Sequence, residues 1–333
     1  MPEYISSFIT GFDSVIGAIM TQLLPGVKIL HVYDGLVHYS YSGNAQNINR
    51  LSFFNNSFLV YKVYKGHSLF FDKMVSQASV PAERNKRLGT FRVRFSKENQ
   101  FTKVGKQTAL AAEKMISRST NRKVDRVNPQ NEYWFIIRSE KVGFFGKLLH
   151  KRKTTEKTLH KGELRPEFAL LMCAFAGIEH GEIICDPFAG YGAIPIQAVQ
   201  SYPIAKMYVC DNNKTLVDRL NHNEALRHCT CKVRIQCEDA LQLESVKDNE
   251  ISLIITDPPW GYYEDIPDIG EFYSAMLRSF KRVLKAEGRA VVLSARKNEI
   301  VDAVKQEEGY ITKRIDTLVN GKKAGIYLIQ FKK

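Results

Sequence analysis

No stretch of the 333-residue chain approaches the roughly 18 uninterrupted apolar residues of a membrane-spanning helix. The opening MPEYISSFITGFDS has neither the basic head nor the long apolar stretch of a secretory signal. Cysteine is scarce and one-sided: Cys173, Cys185, Cys210, Cys229, Cys231 and Cys237 all fall in the second half, with no C-x2-C pair. Most lie in apolar runs such as GEIICDPF and KMYVCDN, where a reduced thiol serves as a small core residue, so a disulfide scaffold is excluded. The cluster His222, His228, Cys229, Cys231, Cys237 lacks the spacings of structural zinc sites, and no metal is expected. These absences lead us to expect a soluble, cytoplasmic protein with no membrane partner, read as a monomer.

What is present is an ordinary globular composition, 44% apolar and 25% charged, over a length that suits two or three domains. Positive charge is unevenly placed. Residues 1–83 are net neutral and 166–333 are net −2, while 84–161 hold 21 basic against six acidic side chains, net +15. A block of that kind is the electrostatic footprint of a polyanion binder, because each neutralised phosphate releases condensed counterions. Arg84, Lys86 and Arg87 from RNKRLGTF, with Lys147, Lys151, Arg152 and Lys153 from KLLHKRK, are the candidate nucleic-acid contacts.

Periodicity divides the chain into three. In the first segment Tyr4–Ile9 reads as a strand, and Phe12, Val15, Ile16, Ile19, Met20 and Leu23 recur at helical spacing up to a Pro25-Gly26 stop. Two strands then flank Asp34-Gly35, a strong hairpin signal, followed by a short helix over 44–51 and a strand at Phe58–Tyr64. This order is ferredoxin-like. The second segment predicts a strand at Thr90–Phe95, a helix over about 103–119, and strands at Tyr133–Arg138 and Val142–Leu149. Most of its aromatics, Phe91, Phe95, Phe101, Tyr133, Trp134, Phe144 and Phe145, sit at strand spacing and are assigned to the core. From about Leu164 strands and helices alternate, which predicts a parallel, doubly wound α/β sheet with its ligand at the carboxyl ends of the strands.

Four loops fall at such ends. Asp186-Pro187-Phe188-Ala189-Gly190-Tyr191-Gly192 follows GEIIC and precedes a helix, and its glycines let the backbone turn tightly and approach a ligand. Pro195 stands where a third glycine would complete a dinucleotide fingerprint, which argues against a dehydrogenase. Asp211, with Asn212, ends the next strand, nineteen residues beyond Gly192, placed to accept hydrogen bonds from a ribose diol. Asp239-Ala240 follows the third strand and Asp257-Pro258-Pro259-Trp260 the fourth.

DPFAGYG followed 71 residues later by DPPW resembles the motif pair of S-adenosylmethionine-dependent amino-group methyltransferases. The resemblance implies that Asp186, Phe188, Ala189, Gly190 and Gly192 lie along the methionine part of the cofactor, Asp211 and Asn212 at its ribose, and Asp239 and Ala240 at its adenine. It implies that Asp257 to Trp260 hold the exocyclic amine of a base. Upstream, residues 67–160 are similar to a THUMP RNA-binding domain and 1–66 to the ferredoxin-like domain that accompanies it in tRNA guanine-N2 methyltransferases. Leu164-Arg165-Pro166 matches the start of their Rossmann-fold catalytic domain, here 161–333. Two positions depart from the pattern: Trp260 stands for the usual Tyr or Phe, and Tyr191 for a small residue.

A purine amine is a poor nucleophile because its lone pair is delocalised into the ring. Asp257 and the carbonyl of Pro258 would accept both its N–H hydrogens and aim the lone pair at the methyl group, while Trp260 stacks on a base turned out of its helix. The expectation is an S-adenosylmethionine-dependent enzyme forming N2-methylguanosine in tRNA, in the acceptor-stem region or at its junction with the D-arm. DPPW also occurs in adenine-N6 methyltransferases of RNA or DNA, in which it precedes the cofactor loop; here the loop comes first, which favours guanine N2. A catalytically silent tRNA-binding protein would have no need of an intact DPPW.

Overall fold

The computed structural model describes residues 1–81, 89–152, 159–160, 162–262 and 266–332; Arg84, Lys86, Arg87 and Lys153 lie outside the described residues. The chain forms two compact units, one of Met1–Phe8 with Ile16–Lys153, the other of Ile9–Val15 with Thr154–Lys333.

In the first unit the order is β1 (Glu3–Ser7), α1 (Asp13–Leu23), β2 (Lys28–Tyr33), β3 (Leu36–Ser40), α2 (Ala45–Asn49) and β4 (Asn56–Lys65). It continues with α3 (Phe71–Ser76), β5 (Thr90–Lys97), β6 (Gln100–Phe101), α4 (Lys106–Thr120), β7 (Lys123–Val124), β8 (Asn131–Ile137) and β9 (Val142–Lys151). The hairpin between β2 and β3 turns on Asp34-Gly35, with Gly35 at φ +70°. Asn44 caps α2 by accepting the Gln46 N–H at 2.9 Å. Among the described residues the strands make one nine-stranded sheet, ordered β2-β3-β1-β4-β9-β8-β5-β6 with β7 beside β5. Pairing of β4 with β9 therefore joins segments 1–66 and 67–160 in a single sheet.

The aromatics of the basic segment pack as a core. Phe91, Tyr133, Phe135, Phe144 and Phe145 are fully buried, and Phe135 stacks between Phe95 and Phe145 with centroids 5.4 and 4.3 Å away. Phe101 is the exception to the sequence assignment, 60% exposed beneath the Arg94 guanidinium at 4.7 Å. Each fully buried large side chain contributes about 1.5–3 kcal/mol.

The second unit runs α5 (Pro166–Ala176), β10 (Ile183–Asp186), α6 (Ala193–Ser201), β11 (Lys206–Asp211), α7 (Lys214–Asn221), α8 (Glu224–Arg227), β12 (Lys232–Cys237) and β13 (Ile251–Thr256). After these come α9 (Ile269–Val283), β14 (Leu284–Ser294), α10 (Lys297–Gln306), β15 (Gly309–Val319) and β16 (Lys322–Phe331). Proline opens α5, where its missing N–H costs nothing, and Gly177 closes it at φ +62°. On α9 Tyr273, Met276, Leu277, Phe280 and Val283 form a buried stripe at helical spacing.

The sheet order is β12-β11-β10-β13-β14-β16-β15. The first five strands are parallel, as expected, but β16 runs antiparallel to β14 and to β15, so the sheet is mixed rather than parallel throughout. Strand β15 escaped the sequence reading because it is an edge strand whose inner half is mostly exposed and charged. The chain order reverses on either side of β10, leaving a crevice at the carboxyl ends of β10, β11 and β13. Among the described residues no helix is long and apolar enough to cross a membrane.

Candidate active site

The Asp186 loop is braced by its own backbone. Asp186, at the end of β10, is buried; its Oδ1 accepts the Thr256 hydroxyl at 2.8 Å and the Phe188 N–H at 3.3 Å. Thr256 closes β13, so this bond ties the ends of two adjacent central strands. Ala189 donates its N–H to the Cys210 carbonyl at 2.9 Å, and Gly192 to the Ala189 carbonyl at 2.7 Å. Gly190 and Gly192 take φ +54° and +89°, a conformation that favours glycine, and a Cβ on Gly192 would stand 2.6 Å from Leu220 Cδ2 and make that side chain shift. Phe188 is half-buried and leans on Phe272 at 5.9 Å.

Asp211 completes that loop. Its Oδ2 accepts the Gly190 N–H at 2.8 Å and its Oδ1 the Asn213 N–H at 2.9 Å. Asn213 in turn caps α7 through Thr215 and Leu216, and exposed Asn212 offers its carbonyl to the Cys237 thiol. Asp239 is exposed, with Oδ1 on the Leu241 N–H at 2.9 Å, and Ala240 behind it is buried. Tyr191 lies flat against His160, centroids 4.4 Å apart at 4°, with the Arg219 guanidinium 5.0 Å from its ring.

Among the described residues, the Asp257 loop is braced through its carbonyls. Tyr273 on α9 donates its hydroxyl to the Pro259 carbonyl at 3.1 Å and meets Ser294 Oγ at 2.9 Å. Ser294, at the end of β14, accepts the Arg296 N–H at 2.9 Å, and Arg296 Nε donates to the Trp260 carbonyl at 2.8 Å. Pro258 is buried. Asp257 is partly exposed as a residue, yet its Oδ1 is shut off from solvent and accepts no hydrogen bond among the described residues. The indole Nε1 of Trp260 is likewise buried and without an acceptor.

Desolvation raises both buried carboxyls. Asp257 is pushed up to about 8, by burial first and by the negative charge of Asp186 second; the indole N–H of Trp260 pulls the other way from nearby without meeting hydrogen-bond geometry. Asp186 is pushed up to about 7, again by burial, against the bonds from Thr256 and Phe188. A carboxyl held there can exchange a proton near neutral pH.

Thus the structure gathers the predicted residues of the Asp186, Asp211 and Asp257 loops at the carboxyl ends of neighbouring parallel strands, and Asp239 follows β12 one strand beyond. Sequence reasoning missed Thr256, Tyr273, Ser294 and Arg296, which carry no motif; Thr256, Ser294 and Arg296 signal themselves only by ending or following strands beside those loops, and Tyr273 only by its place in the buried stripe of α9. In the first unit, Lys147 is half-buried on β9 and Lys151 exposed at its end. Arg152 donates its guanidinium to the Ser52 carbonyl and is at least partly structural. Several arginines of the basic block are likewise used internally: Arg92 with Glu132 at 2.6 Å, Arg126 with Glu113 at 2.8 Å, and buried Arg138 with Asn99, Asp34 and Glu140. No group of three or more His, Cys, Asp or Glu among the described residues is arranged to hold a metal ion.

Comparison with known proteins places this geometry. The chain is 26% identical over 201 residues to the tRNA (guanine(6)-N(2))-methyltransferase THUMP3 of Bos taurus, an alignment covering 55% of this chain; the chain spans only 38% of that relative's length. Its fold matches that of TrmN from Thermus thermophilus with a TM-score of 0.76 at 17% identity, over 99% of this chain and 100% of the other. It also matches SMU.472, which is complexed with SAH, with a TM-score of 0.64 at 12% identity, over 100% of this chain and 98% of the other. Residues 152–324 match the model of the UPF0020 family, described as RMKL-like, methyltransferase domain, and the chain belongs to that family.

Proposed function

We propose that the protein transfers a methyl group from S-adenosylmethionine to the exocyclic N2 of a guanosine in tRNA. The observation that carries this reading is Asp257 Oδ1, a buried acceptor with no donor in a loop whose Pro259 and Trp260 carbonyls are both held. Such an atom costs folding free energy unless something donates to it, and an aromatic amine has two N–H groups to give. The neighbouring loops fit the cofactor. Gly190 and Gly192 present bare backbone at the head of α6, and Asp211, with one hydrogen bond on each oxygen, retains lone pairs for a ribose diol. We assign the adenine end to Asp239 and Ala240.

Bound there, S-adenosylmethionine supplies an electrophilic methyl on a sulfonium centre. The chain's own residues do the rest. Ionised Asp257 and the Pro258 carbonyl accept the two amine hydrogens, which localises the lone pair and orients it. Trp260 covers the base. When nitrogen gains the methyl group it becomes acidic, and Asp257, with its raised affinity for a proton, takes the surplus one. Segments 1–66 and 67–160 are assigned ferredoxin-like and THUMP roles, with the antiparallel order β2-β3-β1-β4 and the basic block as support. The name of the bovine relative supports a target in the acceptor-stem region.

The test is incubation with labelled S-adenosylmethionine and, separately, unmodified bulk tRNA and DNA, followed by digestion to nucleosides and mass spectrometry. N2-methylguanosine from tRNA alone is expected. N6-methyladenosine would replace this reading with the adenine one.

A further inference from the structure

Three of the four acidic loops at the strand ends hold their carboxylates in the same way, with the N–H two residues on. Asp186 accepts from Phe188 at 3.3 Å, Asp211 from Asn213 at 2.9 Å and Asp239 from Leu241 at 2.9 Å. Asp257 has no such donor, because the two residues after it are Pro258 and Pro259, and proline lacks an N–H. Next comes Trp260, whose indole Nε1 is a donor shut off from solvent and, like Asp257 Oδ1, without a hydrogen-bond partner among the described residues. One loop thus buries an orphan acceptor and an orphan donor three residues apart. The backbone between them is fixed by the Tyr273 hydroxyl on the Pro259 carbonyl and by Arg296 Nε on that of Trp260, and Tyr262 meets the indole nearly edge-on at 6.3 Å. The other polar groups near Asp257 are engaged elsewhere or opposed to its charge. Asp186 works against its ionisation, the Tyr273 hydroxyl is taken by Pro259 and Ser294, and Arg296 serves the Trp260 carbonyl and, at 3.8 Å, Glu299.

We infer that the indole N–H of Trp260 is the hydrogen-bond donor of the ionised Asp257 carboxylate, which makes Trp260 a positioning residue for Asp257 as well as the cover of the base. The inference rests on the reaction proposed above, and deepens it. A protonated carboxyl asks little of a donor, whereas a buried carboxylate forms a strong, charge-assisted bond to one. An indole lying on the face of a base carries its N–H in its own plane, so covering the base and donating sideways to the carboxylate do not compete. Phenylalanine would cover the base and donate nothing. With tryptophan there, the carboxylate that accepts the amine hydrogens is held in place by its own loop, and it ionises closer to neutral pH than burial alone would allow.

The experiment measures kcat/KM for methylation of unmodified tRNA transcripts against pH, for wild type, Trp260→Phe and Trp260→Ala. Calorimetry with S-adenosylmethionine serves as the control for folding. Trp260→Phe keeps an aromatic cover and loses the N–H, so its profile should move about one unit to higher pH. Its deficit should then be about tenfold at about pH 7 and about twofold at about pH 9, with KM for tRNA within about twofold of wild type. Trp260→Ala loses the cover as well, and should raise KM at every pH. A second readout needs no Trp260 variant. The chain has two tryptophans, so the labelled protein gives two indole N–H resonances, and Trp134, whose N–H is held by Glu132 at 2.9 Å, is the internal reference. The Trp260 resonance should move downfield from about pH 7 to about pH 9 and stay still in Asp257→Asn. A Trp260 resonance that ignores pH, or a Trp260→Phe profile whose midpoint stays with that of wild type, would overturn this inference alone. Wild type that makes no N2-methylguanosine would overturn the reaction.

Discussion

The loop after β10 and the loop after β13 sit side by side, each opened by a carboxylate, yet they treat their polar groups in opposite ways. Asp186 and Asp211 are already held by the protein: Thr256, Phe188, Gly190 and Asn213 all donate to them. In the Asp257 loop the backbone is held by Tyr273 and Arg296, while the side-chain atoms Asp257 Oδ1 and Trp260 Nε1 stay buried and unmatched. The first loop is shaped before anything binds. The second is complete only with a partner, and the protein carries the desolvation cost until one arrives.

This contrast can be broken at several points. Asp257→Ala removes the unmatched acceptor and should lower single-turnover methyl transfer by about a thousandfold or more, with tRNA affinity by filter binding within about twofold. Retention of substantial turnover would show that the orphaned oxygen has no role. Asp211→Ala strikes the pre-shaped loop, freeing the Gly190 N–H, and should weaken cofactor binding by about thirtyfold in calorimetry. An unchanged affinity would mean that the loop keeps its shape without Asp211.

The pH profile sharpens the same contrast. Asp257 must be ionised to accept the amine hydrogens, and its carboxyl is pushed up to about 8, so kcat/KM should rise about tenfold from about pH 7 to about pH 9. A flat profile would contradict the assignment. Tyr273→Phe, which releases the Pro259 carbonyl, should lower kcat about fivefold and leave cofactor affinity alone. The smallest effect is on stability. Because the folded-state carboxyl binds its proton more tightly than the unfolded one, Asp257 costs stability increasingly from about pH 4 to about pH 8. Asp257→Asn should therefore raise the melting temperature by about 4 °C at about pH 8, and by less at about pH 5.

Legibility in the sequence followed local chemistry. The Asp34-Gly35 turn marked the facing ends of β2 and β3, Tyr33 and Leu36, because a two-residue hairpin needs a residue that takes positive φ without strain and Gly35 supplies it at +70°. The four acidic loops were visible because strand, turn and helix follow one another within a few residues. Asn320-Gly321 was an equal signal, both residues at positive φ, and it would have revealed β15; it was passed over because Lys313, Arg314 and Asp316 break the apolar run before it. Arg92, Arg122 and Arg138 read as surface charge, yet they serve Glu132, Tyr133 and Asn99, partners that only the sheet brings near. Thr256, Tyr273 and Arg296 were illegible for the same reason, since their meaning lies in contacts between distant segments.

One such contact bears on how the protein is made. Ile9–Val15 belongs to the second unit, where Phe12 is fully buried edge-on against Phe168, and the Thr10 carbonyl takes the hydroxyl of Thr317, 307 residues away. During synthesis the earlier half of that bond waits on the ribosome's progress through almost all that lies between. The second unit is thus closed by a strand that emerges about 300 residues after its partner, and its folding should be governed by long-range contact order rather than by the order in which its motifs appear.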